Sequence, residues 1–280
     1  MSGPESKGSK HRTLELTPGF GEIIKPAELI DITGATELTL TARRLYNILL
    51  AHAFGPELAA EGQEFSIDLA ALKGTHESND RLHESIVALM RTIVTVRKTD
   101  GSIERVALLG GNNLASPKRD RGTFTYSFDP RLAPLLRDST VFGKLEIAVM
   151  HAFTTKYALA LYEALSRRVR LSSVFSEVFE LAAFRELLGV PPGKLTTFSN
   201  LKLKAITPAV REINAMASFG CLVEPVKTGR KVTAVRVGWW RKDIDELKAA
   251  YAEVQRSRVG RKARVSGEVE TMVEPSDHLL

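Results

Sequence analysis

Between Asn200 and Trp240 the apolar spacing changes from helical to alternating, and the polar positions on both sides of the change are basic. Leu201, Ala205, Ile206, Ala209, Val210, Ile213 and Ala217 form one stripe at about 100° per residue, which predicts an amphipathic helix over residues 200–217. Two alternating runs follow, joined by Lys227-Thr228-Gly229-Arg230-Lys231, which predicts a two-stranded hairpin with a cationic tip. Residues 199–241 hold eight Lys/Arg and two Asp/Glu, a net of +6 (8 − 2). The whole 280-residue chain also carries +6, so the remainder is near neutral. Charge concentrated in this way points to a polyanionic partner more firmly than a high pI does. A helix followed at once by a charged hairpin is how a winged helix meets DNA, with the helix in a groove and the wing on the backbone.

The same order of elements occurs twice. The first copy predicts a helix over 41–53, a short helix over 68–72, and a helix over 79–92 with Leu82, Ile86, Leu89, Met90 and Ile93 on one face. Strands over 93–97 and 103–109 flank an Asp100-Gly101 turn, and the alternation of Phe124, Tyr126 and Phe128 adds a strand over 123–128. The second copy predicts helices over 154–168 and 177–188, then the basic helix and hairpin. Leu45-Tyr46-x-x-Leu49 returns as Leu161-Tyr162-x-x-Leu165, and the turn Lys98-Thr99-Asp100-Gly101 as Lys227-Thr228-Gly229. A duplicated helix, helix-turn-helix and wing follows, an α+β fold, mainly helical, with two tandem winged-helix domains. Residues 21–140 and 141–256 are the two domains, with 129–144 as their junction, and the Gly-, Ser- and charge-rich ends 1–20 and 257–280 are expected to be disordered.

In the basic helix, Asn200, Lys204, Thr207 and Arg211 share the face opposite the apolar stripe, within hydrogen-bonding reach of bases and phosphates. Lys202 points toward the apolar side near the helix start and would snorkel or meet a phosphate there. Pro208 should kink the helix, or restart it with Thr207 as cap. Lys227, Arg230 and Lys231 are expected on phosphates, although an edge hairpin kept soluble by lysines would look the same. The corresponding helix of the first copy carries Asn79, Asp80, Arg81, His83, Glu84 and Arg91, mixed in sign and poor for reading DNA. The basic cluster Lys118-Arg119-Asp120-Arg121 could touch backbone, but such loops are commonly solvated.

No catalytic pattern emerges. The stretch from Gly189 to Leu195 imitates a phosphate-binding loop, but three residues separate its glycines instead of four, two are prolines, and Leu195 stands where Ser or Thr must reach magnesium. The six histidines form no His-x-His pair or HExxH motif, and the one cysteine, Cys221, reads as a small buried hydrophobe. No catalytic residue, metal ligand or cofactor is expected. With no long apolar run and no signal-peptide pattern at the start, a cytoplasmic protein without membrane contact is expected.

Five blocks in order resemble the iteron-binding replication initiators of bacterial plasmids, the RepA, RepE and Pi type. They are Tyr157-Ala158 with Leu161-Tyr162-Glu163, then Phe184-Arg185-Glu186-Leu187-Leu188-Gly189-Val190, then Pro208-Ala209, then Glu212-Ile213-Asn214, and finally Gly229-Arg230-Lys231-Val232 with its strand. The resemblance implies tandem winged helices that bind direct repeats at a plasmid origin as monomers and help open DNA for the host initiator and helicase machinery. It also implies a homodimer, in equilibrium with monomer, that binds an operator inverted repeat and represses its own gene. The carboxyl-terminal domain would read the repeats, and the amino-terminal one would dimerise and touch backbone. The family's arginine-rich opening of the recognition helix is here Lys202-Leu203-Lys204, and lysine lacks arginine's bidentate fork. The rivals are a tandem winged-helix repressor without initiator role, a rolling-circle nickase, and a scaffold acting through protein contacts alone.

Overall fold

The computed structural model describes residues 12–72, 79–97, 101–114, 122–171 and 173–267. Its first half runs β1 (Glu22–Pro26), α1 (Ala27–Ile30), α2 (Leu40–Ala53), β2 (Phe65–Asp68), α3 (Leu69–Leu72), α4 (Asn79–Arg91), β3 (Ile93–Arg97) and β4 (Ile103–Ala107). Three further elements follow, β5 (Asn112–Leu114), β6 (Thr123–Tyr126) and α5 (Leu132–Arg137). The second half repeats the order as β7 (Phe142–Glu146), α6 (Ile147–Ala152), α7 (Lys156–Arg168), β8 (Ser176–Glu180), α8 (Leu181–Leu187), a three-part helix, β9 (Phe219–Thr228) and β10 (Lys231–Arg241). The three parts are α9 (Phe198–Leu201), a π-helical turn (Lys202–Ile206) and α10 (Thr207–Met216). Helices α11 (Ile244–Gln255) and α12 (Arg261–Ser266) close the described chain. No helix among the described residues is long and apolar enough to cross a membrane.

The duplication reaches further than the sequence pattern indicated, because each half begins with a strand and a short helix. These opening strands pair antiparallel with each other, Glu22 opposite Glu146 and Pro26 opposite Phe142. The equivalent α2 and α7 bury Leu45, Tyr46 and Leu49 in one core and Leu161, Tyr162 and Leu165 in the other. Thr39 and Thr155 cap the two helices in the same way, accepting from the amides of Ala42 and Ala158.

Several expectations need correction. Residues 177–180 are not helical. They form β8, hydrogen-bonded to β10 with Val235 opposite Phe179, and Phe179 packs near Phe184. A four-residue alternation next to a real helix is easily absorbed into the helical period. The junction over 129–144 contains α5 and most of β7. On α4, Leu82, Ile86 and Leu89 are buried, whereas Met90 faces solvent, and Ile93 lies beyond the helix as the exposed first residue of β3. Strands β4 and β6 stop at Ala107 and Tyr126, although Phe128 still joins the core. β1 lies in the segment assigned to the amino-terminal domain, yet its Ile23 belongs to the second core. Residues 12–20 include a 3-10 turn, Thr13–Glu15, in which Thr13 and Leu14 are buried. Residues 261–266 of the carboxyl-terminal stretch form α12. The turn at Lys98-Thr99-Asp100, the cluster Lys118-Arg119-Asp120-Arg121, residues 1–11 and residues 268–280 lie outside the described residues.

The halves are joined by buried polar chemistry. Lys25 Nζ donates to Asn47 Oδ1 and Glu163 Oε2, both at 3.0 Å, and Asn47 Nδ2 donates to Glu163 Oε1 at 2.6 Å. Asn47 and Glu163 are equivalent positions of α2 and α7, each following the repeated Leu-Tyr pair. Burial lowers the Lys25 pKa, and the Glu163 carboxylate opposes that shift. Arg44 donates to the end carbonyls of α6, Met150 and His151 at 3.0 Å each, and to Phe153 O. Lys156 Nζ reaches back to Thr36 O at 2.7 Å.

Candidate nucleic-acid interface

The recognition helix begins at Phe198, two residues earlier than expected, because Thr197 caps it by accepting from the Asn200 amide at 3.2 Å. Its approach is held by Arg185, which donates from Nη1 to Leu195 O at 2.7 Å and from Nη2 to Lys194 O. This fixes Leu195 at φ 49°, an unfavourable region for a branched residue. Gly189 ends the preceding turn at φ +70°, and a Cβ there would collide with Arg43 Nη2 of α2. The loop that imitates a phosphate cradle is therefore the turn of the helix-turn-helix.

Pro208 neither breaks nor restarts the helix. Thr207 has helical angles, and its N–H donates to Lys202 O, five residues back. A wider turn makes room for the proline ring, which in an ordinary α-turn would press on the carbonyl four residues earlier. The wider turn also re-phases the surface. Lys202, expected toward the apolar side, is exposed together with Leu203 and Lys204. Arg211 and Asn200 are exposed and Thr207 is half-buried.

The inner face locks the helix in place. Leu201, Ala205, Ala209 and Ile213 are fully buried against the α7 core. Glu212 turns inward, accepting from Thr154 N at 2.7 Å and Thr154 Oγ1 at 2.5 Å. Burial raises the Glu212 pKa, and the Thr154 and Thr155 hydrogen bonds oppose the shift. Both Glu212 oxygens are taken by Thr154, and it forms no ion pair with the exposed cations among the described residues. Asn214 joins the helix to the wing by donating to Cys221 O at 3.0 Å and accepting from Cys221 N at 2.7 Å. Lys242 Nζ donates to Asn214 O at 2.5 Å and Ala217 O at 2.7 Å, closing carbonyls at the helix end. Cys221 is buried as expected, and burial pushes its thiol up to about 12.

The wing is an antiparallel hairpin whose tip pairs Lys231 with Thr228. Gly229 at φ +62° leads the two-residue turn, the position that type II′ hairpins give to glycine. Lys227, Arg230 and Lys231 are all exposed at this tip. A register shift between Val232 and Ala234 twists the strand just behind it.

Elsewhere the fold gives many cations a partner, as with Lys25, Arg44, Lys156, Arg168, Arg185 and Lys242. Lys202, Lys204, Arg211, Lys227, Arg230 and Lys231 make no side-chain hydrogen bond or ion pair with the described residues. A rigid helix and wing that both present unpaired cations form a surface suited to a polyanion. Sequence reasoning missed one residue in it. Leu203 is 68% exposed between the two lysines. At about 200° from Leu201 on a regular helix, it already lay outside the apolar stripe.

Fold and surface together define a DNA-binding protein with tandem winged helices. Family models described as "Initiator Replication protein, WH1" and "Initiator Rep protein, WH2" match residues 22–166 and 180–239. The chain belongs to this family of replication initiator proteins. The first match ends inside α7 at residue 166 and the second begins at residue 180, whereas the element order begins its repeat at β7. Among solved structures the chain is similar to the Pi initiator protein in complex with iteron DNA, with a TM-score of 0.56 and 17% identity over 80% of this chain and 98% of that one. That likeness establishes a shared fold. A match to domains 2 and 3 of RctB, at TM-score 0.41 and 10% identity over 82% of this chain and 95% of that one, is too distant to carry an argument. No curated protein matches.

Proposed function

We propose that this initiator binds tandem direct repeats, iterons, at a plasmid origin through its second half. Asn200, Lys202, Lys204, Thr207 and Arg211 face the major groove, and Lys227, Arg230 and Lys231 hold the flanking phosphates. The observation that carries the reading is the set of six cations, unpaired among the described residues, on one rigid helix and wing. Leu203 sits among them as an apolar contact for a thymine methyl group. Residues 141–256 act as the reading unit and residues 21–140 as the dimerising, backbone-contacting unit. Exposed Ile93 and Ile103 on the β3–β4 hairpin support the latter role. A dimer at an operator inverted repeat represses the gene, and the bound monomers recruit host initiator and helicase proteins in the cytoplasm. The chemistry is binding alone, with no catalytic residue and no cofactor.

The test uses the full chain and labelled duplexes carrying tandem direct repeats, an inverted repeat, or scrambled sequence. Stepwise shifts that match the number of direct repeats are expected. Binding confined to the inverted repeat would instead make the protein a repressor. A labelled strand still attached after denaturation would restore the nickase.

A further inference from the structure

The basic run that follows α11 is folded, and most of its charge is spent on holding α12. Arg261, 4% exposed, donates from Nη2 to Glu253 O, Val254 O and Arg256 O at 3.0, 3.1 and 2.8 Å. These are carbonyls at the end of α11, which a helix leaves without partners. The Glu253 carboxylate accepts from Arg261 Nε at 3.3 Å and from Arg264 Nη2 at 2.8 Å. Those hydrogen bonds and charges hold the Glu253 pKa below the usual carboxylate range, against its partial burial.

α12 packs along α10 and leaves a cleft of about 310 Å³ between them, lined by Pro208, Arg211, Met216, Lys262 and Val265 among others. Arg211 and Lys262 are exposed, and neither has an ion pair or side-chain hydrogen bond among the described residues. The same cleft is lined by Glu212, whose carboxylate is held by Thr154, and by Arg261, which is paired with Glu253, so Arg211 and Lys262 are the two cations there left to meet an anion from solvent. The arginines beside Lys262 fix the backbone and leave the lysine free.

We infer that α12 is a second DNA-contacting element, with Lys262 taking a backbone phosphate next to the one held by Arg211. The DNA strand alongside the recognition helix then crosses the mouth of this cleft. The matched family regions end at residue 239, so α12 lies beyond them. The inference rests on the recognition-helix reading proposed above, and the experiment separates the two.

Binding of the full chain, Lys262→Ala, Lys262→Arg and Arg211→Ala would be measured across a salt series. The probe is a duplex selected by the wild-type protein from a random-sequence pool. Each alanine variant should weaken binding and lower the slope of log K against log salt by about 0.9. Lys262→Arg should keep the slope, because a phosphate contact needs the charge. Lys262 is exposed, so the variants should melt like the parent, and Lys262→Gln serves if the alanine variant does not. A reduced slope for Arg211→Ala with an unchanged slope for Lys262→Ala overturns the α12 contact and leaves the recognition helix standing. Unchanged slopes for both overturn both.

Discussion

α4 and the α9–α10 helix hold the same place in a repeated order of elements, yet their surfaces differ. α4 exposes Asp80 and Glu84 against Arg81 and Arg91, which cancel. The later helix exposes Lys202, Lys204 and Arg211 and buries its one acid, Glu212. The wings differ as well. β3 and β4 have five residues each, whereas β9 and β10 have ten and eleven. At about 3.3 Å per residue the second wing reaches roughly twice as far. The cores are alike, each built on a buried Leu-Tyr-x-x-Leu helix. The fold therefore places a helix and a hairpin in both halves, and surface charge and strand length decide which pair meets DNA.

The comparison can be broken at the contact between the halves. If they were independent units, damage at their seam would leave two separate transitions. Glu163→Ala leaves Lys25 buried without its carboxylate and should cost about 3–5 kcal/mol in a single urea transition. Replacing the whole network together, Lys25→Met with Asn47→Leu and Glu163→Leu, should recover most of that stability, because no buried polar group is then left without a partner. Two transitions, or an unchanged midpoint, would show the halves folding separately. The longer wing is tested next. Changing Lys227, Arg230 and Lys231 to Ala should weaken binding to all sequences alike and lower the salt slope by about 0.9 for each phosphate left without its cation. A change in preferred sequence would mean that the wing reads bases. The smallest effect is expected from Leu203→Ala. It should relax the preference at one thymine position, by roughly 1 kcal/mol, in competition against single-base variants.

Much of this contrast was legible in the sequence. The period of 3.6 in the recognition helix, the glycine-led wing turn and the repeated Leu-Tyr pair each carried a local signal that the fold kept. β1 and β7 were not legible, because they are five residues long and find their partner more than a hundred positions away. β8 was lost in the helical period of its neighbour. Arg261 and Arg264 looked like a solvated charge run, since nothing in their spacing reveals that Glu253 and the α11 carbonyls collect them. In the site, the face of Lys202 depends on a π-helical turn that regular spacing cannot represent.

The central claim is that the α9–α10 helix, and not α4, supplies sequence preference. It is tested most directly by the ratio of affinities for a selected and a scrambled duplex, measured in the full chain by competition at fixed salt. Asn200→Ala with Lys204→Ala should collapse that ratio toward one. The matched change on α4, His83→Ala with Glu84→Ala, should move it by less than about threefold, as expected for surface substitutions away from the contact. A ratio that survives the first pair and collapses with the second would contradict the account and place the reading head in the amino-terminal half.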